Sequence, residues 1–333
     1  MTISTGPVAF TVSGLSKRFD EVTAVNDISF EVYEGELFGF LGPNGAGKTT
    51  TINVLTGLAR LDSGKVTIGG IDCTRNPKAA QHLVGVVPDE SNLYPELTGF
   101  DNLCFCAALY GIGKVERTRR ARELLEIFNL ADAADRKFQG YSKGMKRKLT
   151  LAAGIIHNPP ILFLDEPTTG IDVASARQVR QIMADLHKQG TTVFLTTHYI
   201  EEAERLCERI AFIVNGKIVR IDRTENLLKP VQGKNMLLLS VSDSGEDHLS
   251  ALASEFPSYT FDSIYKGQIR VQSEETIVIG PLVRILEERG IQVTEARRHR
   301  PSLEDIFVEV TGIEAGFMQK DKEGPMGGGN KNR

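Results

Sequence analysis

The chain is 333 residues long, 41% hydrophobic and 25% charged, and its formal net charge is -4. This length allows one large domain or two modest ones, and the composition is typical of a water-soluble protein. The small negative charge gives no electrostatic reason to expect nucleic-acid binding. No apolar run reaches the roughly 18–20 residues that span a bilayer, and residues 1–14 have no apolar core of a secretory signal. The chain is therefore predicted to be cytosolic, and any work at a membrane would require a partner.

The four cysteines show neither metal-ligand spacing nor the pattern of a disulfide framework. They are Cys73, Cys104, Cys106 and Cys207. We expect reduced thiols in the core or near the surface.

Hydrophobic periodicity predicts alternating strands and helices over residues 1–228. The predicted strands are 8–12, 27–32, 36–41, 66–68, 84–87, 161–164, 192–196 and 210–214. The predicted helices are 48–58, 99–110, 114–128, 173–188 and 200–207, and residues 15–19 are assigned to a turn-rich segment. This order predicts an α/β core interrupted by a helical subdomain at about 98–158.

A second domain is predicted over residues 229–312. Its strands are 234–242, 259–265, 268–272 and 291–297, and its helices are 246–256, 276–289 and 302–310. The order βαββαβ with a final helix predicts a small ferredoxin-like α+β sandwich. The glycine-rich end of the chain, 313–333, predicts a disordered tail.

Residues 42–49 match the whole pattern of a phosphate-binding loop, G-x-x-x-x-G-K-[ST]. Glycines let the backbone curl so that successive N–H groups point at one anion, and the following helix places its N-terminus behind the phosphates. Lys48 is predicted to reach the β- and γ-phosphates, and Thr49 to offer its hydroxyl to Mg²⁺. The predicted nucleotide-binding residues of this segment are Gly42, Pro43, Asn44, Gly45, Ala46, Gly47, Lys48, Thr49 and Thr50.

Two carboxylates, Asp165 and Glu166, follow the predicted strand 161–164. Ligands bind at the carboxyl ends of such strands. Asp165 is therefore predicted to hold Mg²⁺, and Glu166 to orient and polarise an attacking water. Alternation along a strand predicts that the two side chains point in different directions. A strand that ends in two acidic residues by chance is the alternative, and the phosphate loop upstream argues against it.

A second anion site is predicted where Ser142 and Gly144 begin a helix, beside the cations of residues 146–148. One nucleotide does not need two such sites, so this one is predicted to serve a nucleotide held by another copy of the chain. His198 follows the strand 192–196, where its imidazole is placed to meet the γ-phosphate.

These motifs occur in the order of the ATP-binding subunits of ABC transporters, which the chain resembles over about residues 8–228. The phosphate loop lies at 42–49, the signature at 141–145, the Walker B strand at 161–166, the D-loop at 169–172 and the switch histidine at 198. The resemblance implies ATP and Mg²⁺ as ligands. It also implies a head-to-tail dimer in which Ser142 and Gly144 of one copy close on ATP bound by the other. Phe19 falls where the family places an aromatic ring on adenine, although a core position for this residue is the alternative.

The segment 301–307 is similar to an ending found in ATPases of the ABC-2 exporter branch, which includes daunorubicin-resistance and sodium-extrusion ATPases. The membrane subunit of that branch is usually a separate chain. The resemblance therefore implies a peripheral ATPase at the cytoplasmic face of the cell membrane, with a separate polytopic membrane subunit and no nucleic acid as partners. The same segment also fits a helix N-terminus capped by Ser302, and both interpretations can hold.

Asp89 stands where the family has a glutamine that contacts Mg²⁺ and the attacking water. Aspartate keeps an oxygen ligand, loses the amide donor and adds a negative charge beside the metal. We expect Mg²⁺ binding to be retained or strengthened and water positioning to change, and a tolerated variant without effect is the alternative. Lys143 and Met145 also depart from the signature, but Ser142 and Gly144 are kept, so the composite site is expected to work.

Two other functions compete with the motor subunit of an exporter. A soluble ABC-type ATPase of translation usually carries two cassettes, and one of DNA repair carries a long coiled coil between the phosphate loop and the signature. Here only 94 positions separate Lys48 from Ser142. A non-hydrolysing nucleotide switch is disfavoured by Glu166 and His198, while Asp89 leaves it open. The exporter ATPase is the favoured hypothesis, and the sequence does not predict its cargo.

Overall fold

The computed structural model describes residues 6–229, 235–243, 246–265, 267–299 and 302–313. The chain divides into two compact units, of which the second spans Glu225–Glu309. This division lies close to the boundary at 228 and 229 suggested by the sequence, and the domain limits stay a prediction. Residues 314–333 of the predicted tail lie outside the described residues. Within the described ranges, no helix combines the length and the apolar character needed to cross a membrane.

The elements of the first unit follow the predicted alternation of strands and helices. Its strands are β1 (Val8–Phe19), β2 (Val22–Tyr33), β3 (Leu37–Leu41), β4 (Ser63–Ile68), β5 (Ile71–Asp72), β6 (Val84–Val87), β7 (Ile161–Asp165), β8 (Thr192–Thr197), β9 (Arg209–Val214) and β10 (Lys217–Arg223). Its helices are α1 (Lys48–Leu55), α2 (Gly99–Leu109), α3 (Lys114–Ile127), α4 (Lys143–Ile155), α5 (Val173–Lys188) and α6 (Ile200–Leu206), and α7 (Thr224–Leu228) spans the division.

One sheet of this unit has the strand order β10-β9-β3-β8-β7-β6, and β9, β3, β8, β7 and β6 run parallel. Every residue of β3, β7 and β8 is buried, as expected for strands covered on both faces. Leu41 pairs with Thr197, and Asp165 pairs with Thr196. The residues that follow β3, β7 and β8 therefore meet at one edge of the sheet.

A second sheet, β2-β1-β4-β5, is antiparallel and packs on the first through phenylalanine side chains. Phe10 of β1 lies 5.3 Å from Phe163 of β7 and 5.7 Å from Phe194 of β8, measured between ring centroids. Phe30 of β2 stacks on Phe38 of β3 at 5.8 Å. These buried rings hold the parallel strands at their positions beneath the edge where the motifs converge.

Strand β1 is longer than predicted, because residues 15–19 pair with β2 instead of forming a turn-rich segment. Leu15 pairs with Ile28, and Phe19 pairs with Val22. Gly14 directly precedes this segment, and its φ of 60° lies at an irregularity within the strand. The pairing of β1 with β2 shifts register on both sides of Leu15, so it continues through bulges. The residue pattern of a single strand does not reveal such bulges.

Helices α2, α3 and α4 lie between β6 and β7, in the predicted helical insert. Thr98 caps α2 by accepting a hydrogen bond from the N–H of Asp101, and Ser142 caps α4 by accepting one from Met145. Helix α2 packs against both α3 and α4.

The second unit has the predicted βαββαβ order with a final helix. Its elements are β11 (Asn235–Val241), α8 (Glu246–Glu255), β12 (Thr260–Tyr265), β13 (Gln268–Ser273), α9 (Ile279–Glu288), β14 (Val293–His299) and α10 (Leu303–Thr311). The sheet is antiparallel with the order β12-β13-β11-β14. Alternate residues of β11, Leu237 and Leu239, join Leu252 of α8 and Leu282 of α9 in one buried cluster. Residues 234, 266 and 301, which belong to predicted elements or motifs, lie outside the described residues.

A buried ion pair ties the beginning of β3 to the beginning of β9. The Nη1 atom of Arg209 lies 3.1 Å from both carboxylate oxygens of Glu36, which also accepts a hydrogen bond from the N–H of Tyr33. Burial raises the pKa of the Glu36 carboxyl, while the N–H of Tyr33 and the charge of Arg209 oppose that shift. The pair thus anchors the strand that leads into the phosphate loop.

Replacing Arg209 by methionine is expected to lower the free energy of unfolding by about 2 kcal/mol, because it leaves Glu36 buried without its cation. The loss should be larger at pH 8 than at pH 5. Without Arg209 the pKa of the Glu36 carboxyl rises further. A carboxyl whose pKa is raised by folding lowers the free energy of unfolding fully above that raised pKa and not at all below its ordinary pKa. Urea unfolding followed by circular dichroism at both pH values would measure this.

The control is Arg220→Met, whose pair with Asp222 on β10 spans 3.8 Å and is more exposed, so it should change stability little. The double variant Glu36→Gln/Arg209→Met should recover most of the loss. A double variant no more stable than Arg209→Met would contradict the ion-pair explanation.

Candidate functional site

The phosphate loop lies between β3 and α1, and its glycines are required by close backbone contacts. Gly47 precedes α1 with a φ of 104°, and a Cβ atom there would lie 2.4 Å from the carbonyl oxygen of Ala24. A Cβ atom on Gly42 would lie 2.2 Å from the carbonyl oxygen of Ile213. Only glycine fits both positions without moving the backbone. The fold therefore maintains the curled loop that the sequence pattern predicts.

The loop opens on a cavity of about 180 Å³. Four chain segments line this cavity: β2, the phosphate loop with the beginning of α1, the loop after β6 and the residue after β7. The lining residues are Ala24, Asn44, Gly45, Gly47, Lys48, Thr49, Thr50, Asp89 and Glu166. The structure thus brings together the predicted phosphate, metal and water ligands from sequence positions more than a hundred residues apart.

Glu166 is held by a cation, an imidazole and a hydroxyl. Its Oε1 lies 3.1 Å from Nζ of Lys48, and its Oε2 lies 2.5 Å from Nδ1 of His198. The hydroxyl of Thr169 donates a hydrogen bond to the same Oε2 at 2.8 Å. Burial alone would raise the pKa of the Glu166 carboxyl, but the hydrogen bond from His198 and the charge of Lys48 outweigh it and lower the pKa to about 2. The carboxylate is therefore ionised at neutral pH, and Nδ1 of His198 carries the proton of their hydrogen bond.

The backbone turns sharply at Glu166. Strand β7 ends at Asp165, and Glu166 has a φ of 49°, in the left-handed region that non-glycine residues rarely adopt. Its N–H donates to the carbonyl oxygen of Thr196 at 3.1 Å. Glu166 therefore lies just beyond the strand, and the different directions predicted for the two carboxylates from strand alternation stay a prediction. Strained residues of this kind are concentrated at functional sites.

Asp165 is buried at the end of β7, directly before Glu166. Its Oδ1 accepts a hydrogen bond from the hydroxyl of Thr196 at 2.5 Å. Lys48 is turned towards the loop, and its Nζ donates to the carbonyl oxygens of Gly42 at 2.7 Å and Pro43 at 3.0 Å. An anion in the loop would compete with Glu166 for this ammonium group.

The oxygen donors near the loop are typical of a magnesium site that phosphates and waters complete, and not of a metal site built from protein ligands alone. Among the described residues, no group of three or more His, Cys, Asp or Glu side chains is arranged to hold a metal ion. Asp165, Thr49 and Asp89 provide a few hard oxygen atoms near the phosphate loop. Mg²⁺ is commonly held by one or two carboxylates together with phosphate oxygens and waters, so these residues fit it.

The predicted second anion site lies elsewhere. The described lining of the cavity at Lys48 includes neither Ser142 nor Gly144. Ser142 is exposed at the start of α4, while a Cβ atom on Gly144 would lie 2.1 Å from Oγ of Ser175. Gly144 therefore also serves close packing between α4 and the beginning of α5.

Phe19 lies at the end of β1 with 50% of its surface exposed, so it is not a core residue. The ammonium of Lys17 lies 5.1 Å from its ring centroid. The ring is thus available for stacking, which stays a prediction. The four cysteines are free thiols, as expected: Cys73 and Cys207 are buried, and Cys104 and Cys106 are partly exposed.

Two charged residues near the site have roles that sequence reasoning missed. Arg147 was grouped with the cations of the second anion site, but its buried guanidinium donates to backbone carbonyls, including those of Asp165 and Pro167. Glu202 of α6 is 3% exposed, and burial raises the pKa of its carboxyl. In the sequence, burial of Glu202 is indicated only by its place between the apolar residues Ile200 and Ala203 on a predicted helix.

Comparison with known proteins identifies the family of this chain. The family model described as ABC transporter matches residues 25–169. The daunorubicin resistance ATP-binding protein DrrA2 of Streptomyces coeruleorubidus is 36% identical over 309 residues, covering 91% of this chain and 95% of the relative. The Nod factor export ATP-binding protein I of Burkholderia orbicola (strain AU 1054) is 35% identical over 318 residues, covering 94% of this chain and 99% of the relative.

Among solved structures, a dimeric ATP-binding cassette in a post-hydrolysis state with ADP and Pi is 26% identical to this chain, with a TM-score of 0.60. It covers 65% of this chain and 98% of its own. These matches confirm the resemblance predicted from the order of the motifs, and the names of the relatives agree with the predicted exporter branch. The chain therefore belongs to the ABC transporter family, as one of its ATP-binding proteins.

Proposed function

We propose that the chain is the ATP-hydrolysing motor subunit of an exporter and drives transport through a separate membrane-spanning subunit. The single observation that carries this proposal is the buried contact of Lys48 and His198 with the ionised Glu166, at the mouth of the phosphate loop. A nucleotide switch that does not hydrolyse ATP has no need of a carboxylate base in this place. The exporter relatives support the transport role, and they do not favour a soluble ATPase of translation or DNA repair.

ATP is proposed to bind with its phosphates in the loop, where Lys48 exchanges Glu166 for the β- and γ-phosphates. The released carboxylate orients a water and accepts its proton, while His198 keeps the Glu166 side chain in place. Thr49 and Asp165 are proposed to hold Mg²⁺, with Asp89 beside it. The bound Mg²⁺ would supply positive charge to the phosphate oxygens. Phe19 is proposed to stack on the adenine ring.

Two copies are proposed to bind head to tail. Ser142 is exposed at a capped helix N-terminus and lies outside the described lining of the cavity in its own chain. In the dimer, Ser142 and Gly144 of one copy would close on ATP held by the other. The dimeric cassette that matches this fold supports such an assembly.

The membrane subunit is proposed to dock in an apolar groove of the first unit. Leu58, Leu109 and Tyr110 are 72%, 70% and 43% exposed and line a cavity of about 540 Å³. Pro88 and Glu90, on either side of Asp89, line the same groove. A cytoplasmic segment of a membrane partner in this groove would contact the loop that carries Asp89. The chain would then lie at the cytoplasmic face of the membrane, with residues 229–312 as an accessory domain.

Replacing Glu166 by glutamine is expected to lower the rate of ATP hydrolysis by at least about 100-fold, because the base that accepts the proton of water is lost. ATP affinity should be retained or increased, since Lys48 no longer has a carboxylate to release. Phosphate release and ATP titration on the purified protein would measure both. The control is Glu201→Gln, an exposed neighbour of Glu202 that should change neither value. A Glu166→Gln protein with wild-type turnover would rule out Glu166 as the base.

Replacing Asp89 by glutamine is expected to raise the Mg²⁺ concentration needed for half-maximal hydrolysis by about fivefold. This corresponds to about 1 kcal/mol for the loss of one nearby charge in a water-like medium. Turnover should also change, because an amide donor then faces the water. The control is Glu90→Gln, the adjacent carboxylate. Unchanged Mg²⁺ dependence and turnover in Asp89→Gln would show that Asp89 is a tolerated variant.

A further inference from the structure

Arg147 joins the signature helix to two loops of the nucleotide site through one guanidinium group. Its Nη1 donates to the carbonyl oxygen of Asp89 at 3.0 Å and also to that of Pro88. Its Nε donates to the carbonyl oxygen of Pro167, and its Nη2 to that of Asp165, both at 2.7 Å. All of its nitrogen atoms are therefore used by backbone carbonyls and not by a phosphate.

The two loops that Arg147 contacts carry the groups proposed for metal and water. One loop follows β6 and includes Asp89, and the other follows β7 and begins at Glu166, directly after Asp165 at the end of the strand. Because the contacts are to carbonyl oxygens, they position the backbone from which these side chains project. The guanidinium thus sets the spacing between the two loops.

The charge of Arg147 also suits its surroundings. Burial lowers the pKa of the Arg147 guanidinium, and the carboxylates of Asp89, Asp165, Glu166 and Glu202 oppose that shift. Asp89 adds a carboxylate where the family has a neutral glutamine, and Arg147 is a cation that contacts the same loop. The Arg147 side chain is only 6% exposed, whereas Asp89 is exposed, so water screens part of this compensation.

The position of Arg147 on α4 links these loops to the other nucleotide site. Ser142 caps α4, and the first turn is closed by a 2.8 Å hydrogen bond from the N–H of Lys146 to the carbonyl oxygen of Ser142. Arg147 follows Ser142 by five residues, or about 7.5 Å along a helix axis. A shift of the helix N-terminus is therefore carried directly to the guanidinium.

We propose that Arg147 is a positioning residue that couples the two nucleotide sites of the dimer, because it ties the helix that contacts the partner's ATP to the loops that hold Asp89, Asp165 and Glu166. The coupling rests on the proposed head-to-tail dimer. Closure of α4 on the partner's nucleotide moves Arg147, and Arg147 moves the loops of its own copy into place for hydrolysis.

The test compares Arg147→Lys, Arg147→Met and the control Arg122→Met in the full-length protein. Lysine keeps the charge but has one ammonium group in place of a planar fork, so it cannot hold four carbonyls in this geometry. Arg122 is an exposed arginine of α3 in the same helical insert, and its guanidinium lies over the ring of Phe100 at 5.2 Å. Turnover, ATP affinity, the Hill coefficient for ATP and the thermal unfolding midpoint are measured for each protein.

We expect Arg147→Lys to lose at least about tenfold in turnover while its ATP affinity stays within about threefold of wild type. Its Hill coefficient should fall towards 1, while wild type and Arg122→Met remain cooperative. Arg147→Met should lose more, since it lacks the charge as well. A purely structural role would instead lower the unfolding midpoint and reduce turnover and ATP binding together, which would overturn the proposal.

Wild-type turnover and cooperativity in Arg147→Lys would also overturn the proposal and would leave the proposed ATPase dimer intact. If wild type and Arg122→Met hydrolyse ATP with a Hill coefficient of 1, the head-to-tail dimer itself fails, and the coupling inferred for Arg147 fails with it. Absence of hydrolysis in wild type, with ATP bound, would reject the proposed function. The outcomes therefore separate a failure of the Arg147 coupling from a failure of the proposed function.

Discussion

The compensation of the buried Glu166 carboxylate by Lys48 and His198 is the interaction on which the site depends. Three parallel strands end at one edge of the sheet and deliver these side chains from distant parts of the sequence. A carboxylate at this depth is costly without a cation and hydrogen-bond donors. The same cation is the one that a nucleotide phosphate would attract. In the proposed mechanism, binding of ATP and release of the Glu166 carboxylate are therefore joined by competition for Lys48.

A second constraint acts through the backbone and not through side-chain charge. The loop that carries Asp89 and the end of β7 that carries Asp165 must keep a defined spacing. The Arg147 guanidinium sets this spacing by donating to the carbonyl oxygens of both residues. The helix that supplies this guanidinium is capped by Ser142, which lies outside the described lining of the cavity in its own chain. One helix thus serves two nucleotides in the proposed dimer, and this explains how hydrolysis at one site can respond to ATP at the other.

The parts of the fold that sequence reasoning predicted are those dictated by local chemistry. The phosphate loop was recognisable because Gly42 and Gly47 are required by contacts that exclude a Cβ atom, and β7 was recognisable from its run of four apolar residues. The continuation of β1 was missed, because bulges depend on the partner strand. The role of Arg147 could not be predicted from the sequence either. Its partners are backbone carbonyls, which every residue has, so no residue type marks them. The turn at Glu166 was hidden for a similar reason, because its φ is imposed by tertiary contacts.

Isolation of the Glu166→Gln protein from its native membranes with ATP and Mg²⁺ tests the central claim most directly. The variant should retain ATP and so preserve the assembled state, and its co-purified proteins can then be identified and quantified. The account predicts a polytopic membrane protein at near-equal stoichiometry, lost when Leu58 and Leu109 of the groove are replaced by aspartate. Recovery only in the soluble fraction, with ribosomes, DNA or no partner, would contradict the exporter motor and favour a soluble ATPase.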